Sequence, residues 1–485
     1  MVKMEEHERV KLVDEILSRG VGEFVDPNNT FREKLLKKAK DPTSKEQVVI
    51  KFGVDPTRPD IHLGHAVVLR KLRQMQDLGC KVVFLVGDIT ASIGDPTGKS
   101  KIRPEVAQKK ISENMLTFLA QIDKILLVQK NEKTKKIIHD SLFSWIKNSD
   151  WYVGVTDVQI DPKVRADIKF NADGKESNIS VGASTFIGKA AIYNQKFSMQ
   201  INELGNPTAY TVTLINILSI IRNISLSQLV ERDMFQERLK SGEPLFIHEM
   251  LYPVLQGTDS KVLEDIYGSC DLEVGGTDQT FNMLMGRKVM EITKKKEQQA
   301  VLSFKLLVGT DGKEKMSKSL DNYIGITDAP NDMFGKIMSI PDTAILSYFE
   351  LCTFTSTDEI EQIKKKLKDR KNNPRDIKMD LAQQVVEIYH GRKKAEEAKA
   401  SFVATFQNKK LPDDMPEVKV AKGTLLVDAL IDADILDSKS EFRRLMGEGA
   451  IRKNGEEKLN DPTMKVEEDM VLKVGKHRFI KIVVN

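Results

Sequence analysis

Cysteine is scarce in this chain, with three in 485 residues: Cys80, Cys270 and Cys352. Their wide separation fits neither a disulfide framework nor a zinc site, and such usage belongs to a reducing compartment. No run of about 18 uncharged apolar residues occurs, which excludes a membrane-spanning helix. Neither sign of charge dominates: 75 Lys+Arg against 71 Asp+Glu leave a formal net charge of +4, so bulk charge names no partner. The stretch "MVKMEEHERVKLVDEILSRG" is too acidic for a secretory or transit peptide and reads as an amphipathic helix, so a cytoplasmic protein is expected. A chain this long exceeds a single hydrophobic core and predicts about two to four domains.

What is present is first a rhythm. "QVVIKFGVD" is strand-like, and "HAVVLRKLRQMQDLG" repeats Val68, Leu72 and Met75 at helical spacing up to Gly79, after which "KVVFLVG" forms a buried strand. Strand, helix, strand in this order predicts a right-handed βαβ unit in a parallel sheet, with a ligand crevice at the strands' carboxyl ends. The expected fold class is therefore α/β, a doubly wound, Rossmann-like parallel sheet over residues 1–325, interrupted by a turn-rich, β-branched insertion at about 152–212. A charged helical domain is expected over 326–407, a polar proline-containing linker over 408–423, and a small α+β domain over 424–485.

The loop "GDITASIGDPTGKS" ends in Gly-Lys-Ser but is not a P-loop. The first glycine of that motif would have to stand at Ile93, Gly94 comes one residue too late, and Pro96 has no N–H to offer a phosphate. Upstream, His62 and His65 flank Leu63-Gly64 where loop becomes helix, a place where unpaired N–H groups and the helix dipole suit nucleotide phosphates. Downstream, Lys315-Met316-Ser317-Lys318-Ser319 puts two lysines three apart on a polar loop after the strand-like "VLSFKLLVG". Taken one at a time, capping, packing or a solvated basic loop accounts for each of these.

Together, His62-Leu63-Gly64-His65 and Lys315-Met316-Ser317-Lys318-Ser319 resemble the two defining motifs of class I aminoacyl-tRNA synthetases. "FGVDPTRPDIHLGHAVVLRKL", "IGDPTGKS" and "EVGGTDQTFNM" are similar to the tyrosyl-tRNA synthetases of bacterial type. The resemblance implies activation of L-tyrosine by ATP with Mg²⁺, transfer to tRNA(Tyr), and a homodimer with no membrane partner. It implies that Thr57, His62, His65, Lys99, Arg103, Lys315, Lys318 and Ser319 serve the triphosphate and its chemistry. Gly64, Gly276, Asp278 and Gln279 would bind the rest of ATP, and Asp95, Asn148, Tyr252, Gln256 and Asp259 would bind tyrosine, with Trp151 nearby. The tail resembles an S4 RNA-binding module, with Arg443, Arg444, Arg452 and Lys453 as its RNA contacts. Two departures stand out. Lys51 occupies the place of a tyrosine that contacts the substrate phenol in many members, and Gly257-Thr258 replaces Ala-Tyr before Asp259. A synthetase for tryptophan, a small-molecule nucleotidyltransferase and a catalytically dead RNA-binding regulator remain open at this point.

Overall fold

The structure is a computed structural model that describes residues 4–95, 108–135, 137–152, 165–172, 175–182, 199–201, 207–209, 212–230, 233–295, 297–369, 372–407, 415–433, 435–453, 457–459, 461–475 and 478–484. The chain divides into two compact units, Met1–Leu306 and Leu307–Asn485. No helix among the described residues is long and apolar enough to cross a membrane.

The first unit is built on a sheet of strands β1 (Val21–Val25), β2 (Val49–Val54), β3 (Lys81–Val86), β4 (Phe143–Lys147), β5 (Leu272–Gly276) and β6 (Ala300–Phe304). Their spatial order is β1-β6-β5-β2-β3-β4. β1 runs antiparallel to β6, and the other neighbours are parallel. Every residue of β3 and β6 is buried, as strands covered on both faces require. The βαβ unit read from the sequence is present: helix α1 (Leu63–Asp77) carries the chain from β2 to β3. It turns off at Gly79, whose φ is +88° and where a Cβ would fall 2.6 Å from the Pro42 carbonyl oxygen, so no side chain is tolerated.

Strand order reverses between β2 and β5, so the carboxyl ends of β2, β3 and β5 frame a crevice. Short helices α2 (Asp88–Ile93) and α3 (Ser149–Tyr152) follow β3 and β4, while the long α4 (Ile247–Tyr267) precedes β5 and α5 (Thr280–Ile292) follows it. Val49, Val83, Leu85, Trp151, Val262, Leu263 and Met290 form one buried cluster joining the sheet to α3, α4 and α5. Within the span read as an insertion, Arg165–Ala172 and Lys175–Gly182 pair as an antiparallel hairpin, and Met199–Ile201 pairs with Pro207–Ala209.

The second unit begins with helices Pro330–Met338, Ile345–Cys352, Thr357–Lys368, Pro374–His390 and Arg392–Gln407. It ends in a five-stranded sheet, in the order Glu417–Val420, Arg478–Val484, Met470–Val474, Ile451–Lys453 and Glu457–Lys458. Helices Leu426–Asp432 and Lys439–Gly447 supply Leu426, Leu430 and Phe442 to a core shared with Ile451, Leu472 and Ile480.

Gly257 is dictated by packing between α4 and α5. A Cβ built there would stand 2.9 Å from the Met285 carbonyl oxygen and 2.9 Å from Val289 Cγ2, where real Cβ atoms do not go. We expect Gly257→Ala to destabilise the fold by about 1–3 kcal/mol, the usual cost of overpacking. Urea denaturation checks this: a variant as stable as the parent would mean that the helices part freely.

Candidate active site

Asp55, the first residue after β2, ties the crevice together. Its Oδ1 accepts from Thr90 Oγ1 on α2 at 2.8 Å, and its Oδ2 accepts from the Tyr252 hydroxyl on α4 at 2.8 Å. Gly87 makes room for this knot, since a Cβ there would fall 2.2 Å from both Asp55 Oδ1 and Thr90 Oγ1. Tyr252 is thereby fixed by a residue almost 200 positions away, a separation of 197.

Next along the chain, Thr57 is half-buried on the loop leading to α1. His62 caps α1, its N–H donating to His65 Nδ1 at 3.3 Å, and the two rings lie 3.8 Å apart at 34°. His65 sets its ring edge-on against Phe118 at 5.5 Å. Gly64 lies between them in the first helical turn, so backbone N–H groups and two imidazoles share one helix N-terminus, which favours anions.

The polar floor lies between α3 and α4. Asp259 is buried, accepting from Trp151 Nε1 at 2.9 Å and from Asn148 Nδ2 at 3.5 Å. Asn148 is itself held, because its Oδ1 accepts from the Ile89 N–H at 3.0 Å. Burial pushes the Asp259 carboxyl up from 3.8 to about 7, against the Lys51 ammonium and the polar side chains of Trp151, Tyr152 and Asn148, which favour the ionised form. Tyr152 donates its hydroxyl to the Leu255 carbonyl at 2.8 Å, and burial together with the neighbouring Asp259 charge raises its phenol well above the ordinary range.

Tyr252, Gln256 and Asp259 lie on α4 at the helical spacing read from the sequence. Asp95, just beyond α2, is buried and accepts from Gln279 Nε2 at 2.7 Å, while Gln279 Oε1 accepts from Asn282 Nδ2 at 3.0 Å. Gly276 ends β5, and a Cβ there would meet Asp278 Oδ1 at 2.7 Å, so the strand end is shaped to the turn bearing Asp278. Thr57, His62, Gly64, His65, Asp95, Asn148, Tyr252, Gln256, Asp259, Gly276, Asp278 and Gln279 thus all belong to the first unit, on the elements around the crevice. Lys99 and Arg103 lie outside the described residues.

Lys315, Lys318 and Ser319 belong to the second unit. Their loop is pinned by Asn322, whose Oδ1 accepts from the Ser317 N–H at 2.8 Å and whose Nδ2 donates to Asp311 at 2.8 Å. Met316 is buried, and its N–H donates to the Leu307 carbonyl at 2.7 Å, so the methionine anchors the segment between half-buried lysines. In the terminal domain, Arg443 and Arg444 are exposed on helix Lys439–Gly447 and Arg444 pairs with Glu448 at 3.0 Å. Lys453 pairs with Glu468 at 2.8 Å, while Arg452 stands in register opposite Lys473.

Several residues escaped the sequence reading. Lys473 pairs with Arg452 only through strand register, Tyr152 reaches Asp259 only because α3 abuts α4, and Glu273 meets Lys51 only because β2 and β5 are neighbours. Alternating burial along Met470–Val474 is a local signal that places Lys473 on the outer face. No local pattern announces the other two.

A family model for class I tRNA synthetases (W and Y) matches residues 43–156 and 196–407, and a model for the SYY-like C-terminal domain of tyrosine–tRNA ligase matches residues 407–481. Tyrosine–tRNA ligase 2 of Clostridium acetobutylicum is 36% identical over 478 residues, covering 98% of this chain and all of its own length (100%). Tyrosine–tRNA ligase of Thermotoga maritima is 36% identical over 469 residues, covering 96% of each chain. Among solved structures, a C-terminally truncated mitochondrial tyrosyl-tRNA synthetase from Aspergillus nidulans superposes with a TM-score of 0.53 at 20% identity, covering 83% of this chain and 99% of that one, which speaks for the fold alone. With the matched spans extending from the crevice strands to the terminal sheet, the chain belongs to the class I tRNA synthetase family, on its tyrosine–tRNA ligase branch.

Proposed function

We propose that this chain joins L-tyrosine to ATP as tyrosyl-adenylate, releasing pyrophosphate, and then passes the tyrosyl group to the 3′ end of tRNA(Tyr) in the cytoplasm. The observation that carries the reading is Asp259, a buried carboxylate gripped by Trp151 and Asn148 on the same helix as Tyr252 and Gln256. A phenol donates to such an acceptor, whereas phenylalanine would leave it buried without that donor, a loss of about 1–3 kcal/mol. Asp95, Tyr252 and Gln256 receive the α-ammonium.

The tyrosine carboxylate attacks the α-phosphorus of ATP, a P–O bond forms as the bond to pyrophosphate breaks, and the electron pair leaves on the pyrophosphate oxygen. Such chemistry needs alignment and stabilisation of leaving-group charge rather than a protein nucleophile. Thr57, His62, Lys99, Arg103, Lys315, Lys318 and Ser319 serve the triphosphate. Gly64 and His65 hold the nucleotide at the start of α1, Asp278 binds the ribose, and Gly276 and Gln279 admit the adenosine. Mg²⁺ would accompany ATP and supply positive charge to the triphosphate that these residues serve.

For the tRNA, the helices within 326–407 serve the anticodon stem-loop, where unstacked bases are read. The 424–485 domain acts as an S4-like grip through Arg443, Arg444, Arg452 and Lys453, joined by Lys473 on the neighbouring strand. A homodimer is supported by exposed apolar side chains on helices Leu214–Ile221 and Leu226–Val230, which pack against α4 and α5, and at the start of α4. Leu214, Ile215, Leu218, Leu226 and Ile247 are 50–74% exposed, a grouping that a monomer has no reason to keep in water.

ATP–pyrophosphate exchange against all twenty amino acids tests the central reading. Exchange should require tyrosine, and exchange driven by tryptophan or another amino acid would refute the assignment. His62→Ala and Lys318→Ala should each lower kcat about 100-fold or more with little change in tyrosine KM. Asp259→Ala should instead raise tyrosine KM or abolish discrimination against phenylalanine, and Lys473→Glu should weaken aminoacylation while sparing exchange.

The raised Asp259 pKa sets the pH dependence. The carboxylate is ionised above about 7 and protonated below it, so kcat/KM for tyrosine should fall as pH drops through about 7, and Asp259→Asn should flatten that limb. For stability the sign is opposite: the folded state keeps a proton that the unfolded chain loses near 3.8, so this stabilisation is full below that value and is lost as pH rises through about 7. A tyrosine profile unchanged in Asp259→Asn would remove this carboxylate from recognition. Light scattering tests the dimer: the parent should show twice the chain mass and Leu218→Glu a monomer, whereas a monomeric parent would end that proposal.

A further inference from the structure

The proposed tyrosine site leaves one buried cation, Lys51, without a contact to the substrate. Lys51 on β2 is fully buried, and its ammonium is surrounded by three acceptors: the Gln256 carbonyl at 2.8 Å, Ser260 Oγ at 2.8 Å and Glu273 Oε1 at 2.9 Å. An ammonium has three protons, so no donor remains for a substrate phenol. Glu273, the register neighbour of Lys51 on β5, also accepts from the Gln256 amide at 3.0 Å on Oε1. Its Oε2 accepts from the Ser260 hydroxyl at 3.2 Å and from Gln299 Nε2 at 2.5 Å. Gln299 is backed in turn by Cys270, whose Sγ donates to Gln299 Oε1 at 3.3 Å.

This network settles which way the Gln256 amide faces. An ionised carboxylate only accepts, so the end of Gln256 that meets Glu273 is the NH₂ group and its carbonyl oxygen is turned away. An amide rotated half a turn would set oxygen against carboxylate oxygen and present N–H to the ligand. A substrate ammonium brings donors only and needs acceptors around it.

We propose that Lys51 and Glu273 are a positioning pair that locks the Gln256 amide with its oxygen toward the α-ammonium of the amino acid, so that selection for the amine is enforced through Gln256 by residues standing behind it. Glu273 supplies the orientation. Lys51 supplies the countercharge without which a buried carboxylate would not stay in place, and it tethers the Gln256 backbone as well. The inference rests on the reading of this crevice as an amino-acid site. It also assigns a task to a lysine whose three protons are all spent on protein acceptors.

The test compares two ligands in the full-length chain: L-tyrosine in ATP–pyrophosphate exchange, and its deamino analogue 3-(4-hydroxyphenyl)propionate as a competitive inhibitor. In the double variant Lys51→Met, Glu273→Leu, which replaces the pair by apolar groups of similar size, tyrosine KM should rise about 10- to 100-fold, the worth of a hydrogen bond to a charged group. Because the Lys51 ammonium also favours the ionised Asp259 carboxyl, both proteins are compared on the alkaline plateau of their own tyrosine pH profiles, where the inhibition constant of the deamino analogue and kcat should each stay within about threefold. Glu273→Asp keeps the charge pair but draws the carboxylate back from Gln256, and it should give the same selective loss if the double variant does not fold. Equal weakening of both ligands would mean that the pair merely supports the pocket, and no change in a folded variant would mean that the amide needs no lock; either overturns the inference. If the parent exchanges with a different amino acid, the substrate assignment falls by itself, and the comparison of that amino acid with its own deamino analogue decides the inference.

Discussion

Lys51 and Glu273 face one another on adjacent parallel strands at the point where the sheet changes direction, both wholly buried, and what packs over them has to accommodate that charge. Buried ion pairs seldom add much net stability, because desolvation offsets most of the attraction. Their effect is on alternatives. Shifting β2 by one residue against β5 would turn Lys51 to the other face and leave Glu273 without its cation, so the pair penalises the wrong register heavily. The satisfied arrangement also requires α4, since Gln256 and Ser260 complete both coordination sets. Strand register and the placement of the helix bearing Tyr252, Gln256 and Asp259 are therefore one constraint.

Asp55 repeats the device just beyond the end of β2. Both of its oxygens accept from neighbouring elements, Thr90 on α2 and Tyr252 on α4. Asp259 differs, since burial dominates its environment and its carboxyl lies near 7. In a site for a phenol this difference is useful: the anion is costly to keep buried, and a hydrogen bond from the substrate relieves part of that cost. The fold tolerates an uncomfortable carboxylate there because Trp151 and Asn148 hold it from one side, and because α4 is clamped to α5 through Gly257.

Features whose causes are local were legible in the sequence. The run from β2 through α1 to β3 follows from apolar periodicity and Gly79, and the crevice at the strand ends follows from βαβ handedness. Tyr252, Gln256 and Asp259 lie on one helical face because spacings of four and three must do so. What could not be read were partners fixed by sheet order. Lys51 looked like a missing phenol contact because nothing in "VIKFGVD" points to a glutamate 222 positions later. The Gly257-Thr258 departure likewise has a cause only in space, the Met285 carbonyl facing Gly257. Lys99 and Arg103 lie where sequence alone speaks, outside the described residues.

Charge around the crevice is sorted by element. Asp55 and Asp95 follow the ends of β2 and α2, Asp259 stands midway along α4 and Glu273 early in β5 with Lys51 as its buried cation, whereas His62 and His65 stand with the N-terminus of α1. In the proposed reading, an amino acid that puts its ammonium among carboxylates and amide oxygens is oriented by them, because the reverse placement would set its own carboxylate against theirs. Its carboxylate is then turned away from the acidic floor, toward whatever positive field lies beyond it. The helix N-terminus with its paired imidazoles provides such a field and favours phosphate for the same reason. On the proposed reading, alignment of nucleophile and phosphorus would follow from segregation of charge, with no side chain required to attack or to carry the intermediate.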